Sequence, residues 1–146
     1  MRTLVIDPIC ITVSGVSGAA LSNYIVVKNA ATLTVTSNVS VQFDQSKAHQ
    51  SGSVIPIKLD LLGLNGANVG SAGTTLTALR VVGPAPAATA RPVQSPGNSQ
   101  PGNLFKYSGG DYQFNLDTNG LTAGTYLLVF SISGDPLEHT VSFVIR

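Results

Sequence analysis

In SGSVIPIKLDLLG (51–63), Ile55, Ile57, Leu59 and Leu61 fall on one side of an extended backbone, and Val54, Pro56, Lys58 and Asp60 fall on the other. A period of two is the mark of a half-buried strand. The same period runs through DYQFNLDT (111–118), where Tyr112, Phe114 and Leu116 share a face, and through TTLTALRVV (74–82), where Leu76 leads to Ala78 and Arg80. With VSVQF (39–43), LFKY (104–107), TYLLVFSI (125–132) and EHTVSFVIR (138–146), these segments predict about seven strands. TYLLVFSI is apolar on both faces, which predicts a central strand covered on both sides. Pro56 has no N–H to give a ladder, so it belongs on an edge or near a strand's start, and Lys58 reads as a side chain snorkelling to solvent. Helical periodicity is nearly absent.

Two segments stand apart. GPAPAATARPVQSPGNSQPGN (83–103) is too rich in Pro, Ala, Gly and Ser to contribute to a core and reads as a long surface loop. Residues 1–42 hold four short alternating segments, TLVI (3–6), ICITV (9–13), YIVVK (24–28) and TLTVT (32–36). They form a β-rich extension with three open readings: the end of a preceding domain, strands that extend the sheets of 43–146, or an arm docking on another copy. The apolar start is broken by Asp7 and Pro8, so it lacks a signal-peptide layout. If the protein is secreted, this chain reads as a mature segment.

Composition narrows the class. Charged residues make up only 10% of the chain, against about 25% in ordinary soluble domains, and Ser, Thr, Asn and Gly take their place. That mixture suits strands joined by polar turns and is common on extracellular surfaces. The net charge is +1 with Lys and Arg scattered singly, so no basic patch exists for nucleic acid. No apolar run is long enough for a membrane span. Cys10 is the only cysteine, so no internal disulfide can form and Cys10 reads as a small buried hydrophobe.

LTAGTY (121–126) carries the most local information. Leu121, the Gly124 turn and Tyr126 at the start of an apolar strand match the tyrosine corner of immunoglobulin-like sandwiches, where a buried Tyr ties its hydroxyl to nearby backbone. The fold class is therefore all-β: an immunoglobulin-like antiparallel β-sandwich with an N-terminal β-stranded extension. Beyond the corner, SGS then PIK (51–53, 56–58), FNLDTNGLTAGTY (114–126), and GDP then HTVSFVIR (134–136, 139–146) occur in order. Over about residues 43–146 the chain resembles the PxKF-type immunoglobulin-like modules of bacterial extracellular and cell-surface proteins. The resemblance implies an architecture and a location, and no catalytic residues.

Candidate chemistry is sparse. His49 and His139 lack partners at metal-ligand spacing, and Asp111, Asp117 and Asp135 sit where turns place Asp anyway, so neither a metal nor another cofactor is expected. Lys58, Asn115 and Glu138 are the residue types of a Lys–Asn isopeptide crosslink assisted by a carboxylate, although alternation turns Lys58 and Asn115 away from the core such chemistry needs. A sugar platform would have to use Tyr24, Phe105 or Tyr107, because Tyr112, Phe114, Tyr126 and Phe143 are committed to the core. The resulting expectation is a non-enzymatic structural or adhesive module, outside the cell or on its surface. It would act as spacer or self-assembly unit, with neighbouring domains or other copies of itself as partners, residues 1–42 supplying strand addition. A carbohydrate- or surface-binding accessory module is the alternative.

Overall fold

The computed structural model describes residues 37–84, 86 and 88–146. Segments 3–6, 9–13, 24–28 and 32–36, with Cys10 and Tyr24, lie outside the described residues. Among the described residues nine strands form: β1 (Asn38–Val41), β2 (Ala48–His49), β3 (Val54–Leu62), β4 (Leu76–Val82), β5 (Ala90–Pro92), β6 (Lys106–Ser108), β7 (Asp111–Asp117), β8 (Gly124–Ile132) and β9 (Glu138–Ile145). They make two sheets, ordered β1-β3-β7-β6 and β2-β9-β8-β4-β5. Every pairing is antiparallel except β2 with β9, which run parallel. The described residues form an all-β sandwich.

The alternation read from the sequence decides the packing. Ile55, Ile57, Leu59 and Leu61 of β3 and Tyr112, Phe114 and Leu116 of β7 all point inward. They meet Leu76, Ala78 and Val81 of β4, Tyr126, Leu128, Phe130 and Ile132 of β8, and Val141, Phe143 and Ile145 of β9 in one core. The Phe105 ring, just before β6, lies tilted 5.2 Å from Phe114 of the first sheet and 5.7 Å from Phe130 of the second, so the two layers share one aromatic seam.

Four expectations are corrected. β1 is the edge strand of the first sheet, with Val39 and Val41 packed on the core, so the sandwich already includes residues 38–42 and a boundary at 43 cuts it too short. In β4 the register shifts between Ala78 and Arg80; this bulge adds a residue and resets the parity, leaving Leu79 exposed and turning Val81 rather than Arg80 inward. Segment 83–103 is not merely a surface loop: it supplies β5, seats Val93 in the core and buries Gln100. Finally, β8 is central but only partly covered on its outer face, where Val129 is buried and Leu127 is 40% exposed.

Pro56 illustrates how local chemistry sets topology. β3 is flanked on both sides along Leu59–Leu62, but β1 pairs only as far as Val41–Leu59, with Gln42 N–H donating to the Lys58 carbonyl at 2.9 Å. Strand parity aims the nitrogen of Pro56 to the same side, past the end of β1. There the sheet opens, because the chain leaves β1 and crosses to β2 in the other sheet. Pro56 thus stands on an edge, although on an edge one strand wide and a few residues long.

Candidate functional site

The motif residues meet in space in pairs. Tyr126 is fully buried; its hydroxyl donates to the Thr122 carbonyl at 3.0 Å and accepts the Thr122 N–H at 3.1 Å, closing the corner. Gly124 takes φ +151, and any side chain there would run into Pro84, so this position requires glycine. Leu121 is buried, and its carbonyl accepts the Ser51 hydroxyl at 2.5 Å. Beside it Gly52 N–H donates to the Thr118 carbonyl, and the Thr118 N–H and hydroxyl both donate to the Ser53 carbonyl, the latter at 2.6 Å. The SGS turn and the DTNGL turn are two halves of one lock at this end of the sandwich.

At the opposite end Asp135 does the corresponding work. Its Oδ2 accepts the Ser37 N–H at 2.7 Å and sits 3.0 Å from His139 Nε2, while Oδ1 accepts the Leu137 N–H at 2.9 Å. The carboxylate is 2% exposed, and the donors, Ser37 N–H above all, hold its pKa down to about 2. The incoming chain, the β8–β9 turn and the start of β9 are thereby tied at one carboxylate.

The isopeptide trio does not assemble. Lys58 and Asn115 are on neighbouring strands of the first sheet, but Lys58 Nζ bonds Asp111 Oδ2 at 2.7 Å, and Asn115 Oδ1 accepts from Gln113 Nε2 at 3.0 Å. Glu138 lies in the other sheet, gripped by both terminal nitrogens of Arg80. Lys58 is not free in solvent as expected; the cross-strand Asp111 carboxylate raises its pKa, and Lys58 lowers that of Asp111 in return. Asp60, beside them, is pushed up by burial and then by Asp111, and its Oδ2 accepts from Gln42 at 2.8 Å. Asp111, Asp117 and Asp135 hold separate partners, and no group of three or more His, Cys, Asp or Glu is placed to bind a metal among the described residues.

The aromatic sugar platform fails for two of its three members. Phe105 is in the core, and Tyr107 is half-buried against the Tyr112 ring at 5.1 Å, with its hydroxyl on the Gly70 carbonyl at 3.2 Å. A different feature, which alternation could not reveal, occupies the outer face of the first sheet. Ser99, Gln100, Lys106, Ser108, Gln113 and Asn115 line a groove of about 370 Å³. Its floor is fixed by Gln100, whose side chain replaces a strand beyond the end of β6: Oε1 accepts the Asn115 N–H at 2.6 Å, and Nε2 donates to the Gln113 carbonyl at 2.7 Å and the Leu104 carbonyl at 3.3 Å. Only the burial of Gln100 makes it visible; the sequence shows an ordinary polar loop residue.

Comparison with protein-family models, with curated proteins and with solved structures gives no match for this chain. No helix among the described residues is long and apolar enough to cross a membrane.

Proposed function

We propose that the chain is a non-enzymatic, load-bearing spacer module of a bacterial extracellular or cell-surface protein, immunoglobulin-like and of the PxKF type. One observation carries this reading: the chain enters the sandwich through β1 beside the Asp135 turn and reaches Arg146 at the other end, and β2, the strand that follows β1, runs parallel to β9. At about 3.3 Å per residue, the eight residues of β9 separate the ends by about 25 Å. Tension between Ser37 and Arg146 pulls β1 along β3, and beyond it pulls β2 and β9 in opposite directions along their length. It loads their bonds together, in shear, rather than one after another. Arg146 N–H donates to the His49 carbonyl at 2.8 Å, and Gln45 Oε1 accepts both the Ser142 N–H at 3.0 Å and the Ser142 hydroxyl at 2.8 Å, so the clamp extends beyond β2 itself.

The tyrosine corner, the strand orders and the low charge support the immunoglobulin-like and extracellular parts of the reading. The sheet edges support a spacer over a unit that assembles by strand addition. Their outermost strands are two to four residues long, β5 ends in Pro92, and β6 carries Lys106, all features that discourage edge pairing. Size exclusion with light scattering on residues 1–146 tests this: a monomer from micromolar to millimolar concentration is expected. Concentration-dependent oligomers or fibres would replace the spacer by an assembly unit.

A further inference from the structure

The groove over β6 and β7 is concave and lined by polar residues, and the spacer role makes no use of it. Lys106 and Gln113 face each other across the two strands, Ser108 and Asn115 stand one outward position away on either side, and Ser99 and Gln100 close the end beyond β6. The groups left over are the Gln113 Oε1 acceptor and a larger set that can donate. Lys106 is exposed and has no ion pair among the described residues, and the Ser99 and Ser108 hydroxyls and the Asn115 side-chain N–H groups have no hydrogen-bond partner among them. The nearby carboxylates Asp111 and Asp60 share Lys58, which bonds Asp111 at 2.7 Å, and neither lines the groove, so Lys106 is the one charged group among its neutral polar lining residues.

From this we infer that the groove is a binding site for an acidic saccharide, a sugar bearing a carboxylate. Lys106 takes the carboxylate as a point charge, and the Ser99, Ser108 and Asn115 groups take ring hydroxyls, which can accept and donate in turn. A neutral sugar would leave the ammonium unmatched, and an apolar peptide side chain would cover the hydroxyls without pairing them. The floor does not need to form on binding, because three hydrogen bonds already hold the Gln100 side chain in place, so little ordering opposes association. The site does not depend on the spacer reading and stands or falls alone.

The test is a titration of ¹⁵N-labelled 1–146 with trigalacturonate, with neutral galactotriose and sodium acetate as controls, followed by amide shifts. Saturable shifts confined to residues 99–115 with trigalacturonate, and absent or at least about tenfold weaker with both controls, are expected. Lys106→Ala should weaken binding about tenfold and Lys106→Arg should restore most of it, with the remaining spectrum unchanged. Absence of saturable shifts, shifts mapping elsewhere, equal binding of the neutral trisaccharide, acetate binding as tightly as trigalacturonate, or indifference to Lys106→Ala would each overturn the proposal.

Discussion

The two outer faces of the sandwich are built from the same kinds of strand and do different things. The β1-β3-β7-β6 face carries Gln42, Lys58, Asp60, Asp111, Gln113 and Asn115, cross-linked by polar side chains and opening into the groove beside Lys106. The face of the five-stranded sheet carries Thr125, Leu127, Val129, Thr140 and Ser142, with Arg80 and Glu138 as its ion pair. That pair joins β4 to β9 across the intervening β8, so it roofs Val129 and leaves Leu127 uncovered. The groove proposed as a ligand site lies on β6 and β7, away from β1 and from the β2–β9 pairing proposed to bear load. A module built this way can carry a ligand on one side without placing the ligand's contacts in the path of the load.

The comparison breaks down most completely where the faces share a core. Phe114→Ala removes a fully buried ring of the first sheet from contact with Phe105 and should cost about 3–5 kcal/mol, and Phe130→Ala in the second sheet should cost the same, because both empty one seam. Chemical denaturation would check this, and costs differing severalfold would mean two cores. Next in size, Tyr126→Phe leaves the Thr122 N–H and carbonyl without their buried partner and should cost about 1–3 kcal/mol, with the fold retained.

A pH dependence follows from Asp135. Folding lowers its pKa from 3.8 to about 2, so its contribution is fully present above about pH 4 and is lost as the pH falls towards 2. The loss should be roughly 2 kcal/mol, and Asp135→Asn should flatten the stability profile over that range in thermal melts from pH 2 to 5. Smallest are the two surface ion pairs. Replacing Arg80 or Lys58 by Met should change stability least of all, because all four partners are a third to a half exposed and solvent screens them. Arg80→Met should additionally expose Val129, which increased binding of a hydrophobic dye would reveal.

Much of this was legible because the period of two is absolute within an unbroken strand. Once Ile55 faces inward, Ile57, Leu59 and Leu61 must follow, and Tyr126 announces itself because a strand-opening Tyr after a Gly turn has few other uses. What escaped depends on breaks in the period or on partners distant in the chain. One extra residue at the β4 bulge moved Arg80 from the core face to the Glu138 ion pair. Phe105 lies in a three-residue alternation too short to assign a face, and the burial of Val93 and Gln100 depends on where a Pro-rich segment happens to cross the sheet. Lys58 could be placed on the outer face from its own strand, but its choice of Asp111 over Asn115, both diagonal neighbours across β7, rests on charge meeting charge at 2.7 Å.

Single-molecule pulling in two directions tests the load-bearing claim most directly. Handles at Ser37 and Arg146 shear β1 against β3 and β2 against β9, whereas handles at Gly120 and Arg146, at the same end, peel β9 from β8 one bond at a time. The account predicts a clearly higher unfolding force in the first direction, lowered by Gln45→Ala with His49→Pro, and a low force in the second that those changes leave alone. Equal forces in both directions would contradict it.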